Sequence, residues 1–120
     1  MILTPVRTLF ALALASTSVV VGCGGAPPPV AKVASTQSAI RAAHENGAES
    51  IPSAQIYLKY ATDQMATAEK LIKEGDNEKA EWILSRAETD AELSVALAKE
   101  VSTKNAALAA QEKVRALQKK

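Results

Sequence analysis

Two alanine-punctuated seams, one on each side of Gly75-Asp76, constrain this chain more than any other feature. On the first, Ile51, Leu58, Met65 and Ile72 recur every seven residues, with Ala54, Ala61 and Ala68 between them. On the second, Ala80, Leu84, Ala87, Ala91, Ser94, Ala98 and Val101 follow the same alternation of three and four. That spacing places one stripe along a helix, to be covered by a neighbouring helix. If the chain folds back at Gly75-Asp76, facing residues have numbers of constant sum. Ile72 then meets Ala80, Ala68 meets Leu84, Met65 meets Ala87 and Ala61 meets Ala91. Leu58 meets Ser94, Ala54 meets Ala98 and Ile51 meets Val101, and every pair adds to 152. Most large side chains face a small one. The pattern predicts a long antiparallel helical hairpin, its axes near the lower end of the usual range of about 8–10 Å.

Composition supports helix over sheet. Hydrophobic residues make up 48% of the 120 residues but aromatics only 3%, and much of the apolar content is alanine. Alanine has the best helix propensity, whereas sheets need β-branched and aromatic residues. A short first helix over 35–45 would end at Asn46-Gly47, a pair suited to a left-handed cap. Pro52 suits the first turn of a second helix running to Glu74, with Ser50 or Ile51 before it. Gly75 closes that helix and Asp76 is a natural N-cap for the third, which meets no further Gly or Pro. At about 1.5 Å per residue the second helix is roughly 33 Å long and the third roughly 60 Å. Beyond Val101 the third helix carries a weaker stripe at Ala107, Ala110, Val114 and Leu117. It would meet the first helix, a partner protein or a second copy. The first helix, with Ile40 and Ala43, is poor in apolar residues.

The N-terminal third has a different character. Residues 1–7 carry one basic side chain, and 9–21 form a continuous run of apolar and small residues. A helix needs roughly 20 residues to span a hydrocarbon core, so this run suits the core of an export signal instead. The expected organisation is a signal peptide over 1–22, a lipid-bearing Cys23 with a Gly- and Pro-rich tether over 23–34, and a helical domain over 35–120. Gly24, Gly25 and the three prolines 27–29 would make the tether part flexible and part extended.

Catalytic chemistry finds little support. His44 is the one histidine, with no Cys or His partner at metal spacing, and reads as a polar surface group. Carboxylates are interleaved with lysines, as at Glu69 and Lys73, and read as i,i+4 pairs on a solvated face. Without the first 22 residues, thirteen basic residues stand against thirteen acidic ones, so the basic face that nucleic acid requires is not expected. Tyr57, Tyr60 and Trp82 lie off the seams. They are candidates for a recognition patch, or alternatively Tyr57 and Trp82 seat the first helix to make a three-helix bundle.

Several resemblances sharpen the reading. Val20-Val21-Gly22-Cys23 resembles the lipobox of bacterial lipoproteins, although Val20 replaces the usual Leu. The resemblance implies cleavage between Gly22 and Cys23, lipid on the Cys23 thiol and an acylated amine. Several acyl chains on one residue would hold far more firmly than a single chain. Gly24 in place of Asp implies the periplasmic face of a Gram-negative outer membrane. The alternative is a secreted protein with an unpaired Cys. The stretch from Tyr57-Leu58-Lys59-Tyr60-Ala61 through the Gly75-Asp76 turn to Asp90-Ala91-Glu92-Leu93 is similar to an uncharacterised family of short alanine-rich helical lipoprotein domains, sometimes found ahead of an OmpA-like domain. No catalytic residues come with it. The turn with Ala80 also resembles tetratricopeptide hairpins, although one hairpin lacks the minimum of about three repeats. The ending Leu117-Gln118-Lys119-Lys120 resembles that of murein lipoproteins, which makes Lys120 a candidate for attachment to peptidoglycan.

The expectation is therefore a non-enzymatic outer-membrane lipoprotein, structural or adapter in role. Its alternatives are a tetratricopeptide-like peptide-binding module and a murein-lipoprotein-like tether. No cofactor or metal is expected beyond the lipid on Cys23. The expected partners are the membrane and either another envelope protein or peptidoglycan.

Overall fold

The computed structural model describes residues 25–119. The expected signal peptide, the cleavage and lipidation positions Gly22 and Cys23, and Lys120 lie outside the described residues. The fold is all-helical: α1 (Val30–Glu45), a single 3-10 turn (Ala48–Ser50), α2 (Pro52–Glu74) and α3 (Asn77–Gln118). The long hairpin and its shorter N-terminal helix are both present.

Local chemistry sets each boundary. Helix α2 ends in a Schellman arrangement: Gly75 takes φ +84°, its N–H bonds the Ile72 carbonyl at 3.1 Å, and the Asp76 N–H bonds the Leu71 carbonyl at 2.9 Å. A left-handed residue there favours glycine because a Cβ would crowd the preceding turn. Asp76 stands at the N-cap of α3, but its side chain makes no capping hydrogen bond. Pro52 opens α2 and holds Ile51 extended at φ −118°, ψ 107°, as a residue before proline must be. Gly47, at φ +73°, turns the chain after α1.

One boundary corrects the expectation. Helix α1 starts at Val30 rather than at residue 35, so 30–34 belong to the folded body and not to the tether. Pro29 occupies the N-cap with φ −80°, and its carbonyl accepts the Val33 N–H at 3.0 Å. Proline at a helix start sacrifices no hydrogen bond, and Ala31, Lys32 and Ala34 then continue a helix readily. The end of the tether is also tied down, because the Asn77 amide donates to the Ala26 carbonyl at 2.6 Å.

The core lies along α2 and α3. Ala54, Ala61, Ala68, Ala80, Ala87, Ala91 and Ala98 are completely buried, and Leu84 is too. A methyl group is covered completely only where the neighbouring backbone comes close, so these alanines set the approach of the helices. Ala54, Leu58 and Ala98 form one cluster, and Met65, Ala68, Leu71, Ala80 and Leu84 another. Ser94, the polar seam position, donates its hydroxyl to the Ala54 carbonyl at 2.8 Å and is satisfied there. At the hairpin ends Ile51, Ile72 and Val101 are half-buried, and Leu71 is buried where Ile72 was expected. Leu71 packs into the cluster of Met65, Ala68, Ala80 and Leu84. Ile72 instead faces Pro28, Pro29 and Val33 across a small apolar groove of about 280 Å³.

Helix α1 packs mainly on α3, parallel to it and antiparallel to α2. Ala26 lies beside Asn77, Thr36 beside Leu84, and Ala43 in the cluster that contains Ala98. Val33, Ile40 and Ala43 pack against the core clusters, and two polar contacts join them in docking α1. Thr36, completely buried, shares its hydroxyl between the Lys32 carbonyl at 2.8 Å and the Leu84 carbonyl at 3.2 Å. The Lys32 ammonium meets the Glu88 carboxylate at 2.8 Å.

Candidate functional site

The surface that stands out is the far end of α3. The helix is 42 residues long, its last buried residue is Ala98, and its last half-buried one is Val101. Every residue from 102 to 119 is exposed, so the final 17 helical residues form an arm of roughly 25 Å beyond the bundle. The arm stays helical without packing because Ala106, Ala107, Ala109, Ala110 and Ala116 have high helix propensity. Lys113 and Arg115 also complement the negative end of the helix dipole.

The arm displays Leu108, Val114 and Leu117, which are 58%, 53% and 72% exposed. Ala107, Ala110, Val114 and Leu117 make one exposed stripe, and Leu108 lies on the opposite side of the arm, roughly 180° from Leu117 at about 100° per residue. Of the three coverings considered for this stripe, the first helix does not reach it. Helix α1 lies against the opposite half of α3, alongside Leu84 and Glu88.

The aromatic residues do not converge. Trp82 is 71% exposed and lies on α3 with Ser85, Arg86, Thr89 and Asp90 around it, so it does not seat α1. Tyr57 is half-buried on α2 and meets Tyr60 edge-on, with ring centroids 6.2 Å apart at 88°. In the hairpin register Trp82 lies level with Lys70, which is thirteen residues, or roughly 20 Å, along α2 from Tyr57. Trp82 and the tyrosine pair are therefore two separate features. Seating of α1 falls to Val33, Ile40 and Ala43 together with Thr36, which sequence reasoning missed because a threonine at a core position carries no apolar signal.

The polar groups form surface pairs. His44 Nδ1 lies 2.8 Å from Glu49 on an exposed turn. Lys59 pairs with Asp63, Lys70 with Glu74 and Lys104 with Glu100, all at i,i+4; Lys70 and Glu74 thus make the contact that was expected at Glu69 and Lys73. Glu88 is the one carboxylate of this group that is partly covered. Its hydrogen bond from Lys32 holds its carboxyl below the ordinary range, against a smaller opposing effect of burial. Among the described residues no three His, Cys, Asp or Glu side chains gather in a way that could hold a metal ion. No helix among them is long and apolar enough to cross a membrane.

The molecule is thus a three-helix alanine-seamed bundle with a free helical arm. The family model for a domain of unknown function, DUF4398, matches residues 31–118, and the chain belongs to that family. The match starts one residue into α1 and ends with α3, so bundle and arm together form the family's unit. No curated protein and no solved structure matches the chain significantly.

Proposed function

We propose that this protein is a non-enzymatic lipoprotein of the Gram-negative outer membrane, held on the periplasmic face by lipid on Cys23, and that it acts as a structural or adapter protein. The observation that carries the adapter role is the arm: a helix whose stripe of Ala107, Ala110, Val114 and Leu117 is exposed beyond the end of the bundle. Such a face is a docking surface of the helix-in-groove or helix-on-helix kind. The anchor is supported by the sequence around Cys23 and by the tether, which leaves the bundle at Ala26 beside the start of α3. Cys23→Ser is expected to abolish palmitate labelling and release the protein from the membrane fraction. A variant that stays labelled and membrane-bound contradicts the reading.

A second reading is favoured by one geometric fact. The tether leaves beside Asn77 and α3 runs on to Gln118, so Ala26 and Gln118 lie at opposite ends of a rod of roughly 60 Å. That disposition suits attachment of Lys120 to peptidoglycan. Sacculi boiled in detergent should then retain the protein, and sacculi free of it contradict this reading.

A further inference from the structure

The arm has a counterpart on the same helix. Trp82, Ser85 and Thr89 follow one another at spacings of three and four on the side of α3 turned away from the buried seam. Val114 and Leu117 repeat that spacing in the arm, with Ala107 and Ala110 before them. Both stripes are largely uncovered, and the two most exposed apolar side chains of α3, Trp82 and Leu117, mark their outer ends.

The charges of the two halves are opposite. Between 77 and 101, Glu78, Glu81, Glu88, Asp90, Glu92 and Glu100 outnumber Lys79, Arg86 and Lys99, a net of −3. Between 102 and 120, Lys104, Lys113, Arg115, Lys119 and Lys120 stand against Glu112 alone, a net of +4. The overall neutrality of the chain conceals this division. A parallel pair of α3 helices would set each half against its like, whereas an antiparallel pair sets acidic against basic twice.

We infer that the occupant of the arm is a second copy of this chain, paired antiparallel through α3 about a two-fold axis. The register that joins the stripes brings Trp82 to Leu117, Ser85 to Val114 and Thr89 to Ala110 of the other copy. Its axis passes between Lys99 and Glu100, which then face Glu100 and Lys99 across the centre. The arm alone offers too little surface for a stable contact, which needs roughly 1,000 Å². The register adds both tryptophans, each a residue that can bury about 150–250 Å². It also extends the contact over residues 82–117, roughly 53 Å. The inference rests on the docking role given to the arm above and is independent of the lipid anchor.

Cysteine crosslinking of the full-length chain in intact cells tests it. Co-expression of one chain carrying Trp82→Cys with another carrying Leu117→Cys should give, under mild oxidation, at least ten-fold more disulfide-linked dimer than either variant alone. Glu100→Cys, beside the axis, should crosslink by itself. All three positions are exposed, so the substitutions leave the bundle intact. Dimer from Leu117→Cys alone would mean parallel pairing and overturn the proposal, as would a lack of dimer in every combination. A Leu117→Cys product that contains a different protein overturns the pairing but leaves the docking role of the arm standing. Palmitate labelling of the same cells reports the anchor separately.

Discussion

Helix α1 and the arm of α3 are of nearly equal length and carry three large apolar side chains each, yet only α1 packs. Val30 in α1 is 71% exposed, and the residues that α1 buries are Thr36 and Ala43. The arm carries Leu108, Val114 and Leu117 and buries none of them. What separates the two is reach. The turn over 46–51 folds α1 back along the hairpin, so its docking closes only a short loop. The arm lies past the level at which α1 ends and α2 begins, where none of the described residues of its own chain covers it. Apolar content therefore predicts which helix has something to bury, and connectivity decides whether it is buried within the chain.

The largest effect that would break this comparison is at Leu84, the bulkiest fully buried side chain, beneath both α1 and α2. Leu84→Ala should cost about 2–5 kcal/mol in denaturant unfolding. Leu117→Ala should change the stability of the dilute chain by less than about 0.5 kcal/mol, because it removes an exposed side chain. Similar losses at the two sites would mean that the arm is packed. Next in size, Ala91→Leu pushes a long side chain into the closest approach of α2 and α3. An overpacking cost of about 1–3 kcal/mol is expected, read as a lower melting temperature, and a neutral result would mean that the seam is not tight.

The polar docking of α1 is tested by two smaller changes. Thr36→Val keeps the shape and removes the hydroxyl shared with Lys32 and Leu84, and should cost about 1 kcal/mol by thermal unfolding. Glu88→Gln should have a smaller effect that depends on pH. Lys32 holds the Glu88 carboxyl below its ordinary value in the folded protein, so its stabilisation is complete above the unfolded value of about 4.3. It is lost as pH falls through the folded value. Wild type and variant should therefore differ at pH 7 and converge as pH falls through the lowered folded value. A difference that does not shrink as pH falls would mean that Glu88 acts through packing.

The hairpin was legible because its signals are local and redundant. A glycine turn, a proline start and two seams that share a register all specify the same fold. The ends were less so: a heptad cannot say whether Leu71 or Ile72 takes the last turn, because the answer depends on Pro28, Pro29 and Val33 packing beside Ile72. The start of α1 was obscured by three prolines that read as tether but also preset a helix start. Its docking face, Val33, Thr36, Ile40 and Ala43, has the 3-4-3 spacing of a seam, but a threonine interrupts the apolar signal and the Lys32–Glu88 pair leaves no periodic trace. The arm was visible as a stripe, but its lack of cover could only come from knowing where α1 lies.

The central claim, that α3 is one helix in two regimes, is tested most directly by amide hydrogen exchange on the mature protein as a function of concentration. In the dilute monomer, amides over 80–98 should exchange only through global unfolding, while those over 102–118 exchange through local opening at least a hundred-fold faster. Raising the concentration should slow the arm most as copies pair. An arm protected as strongly as the bundle at the lowest concentration would contradict the account.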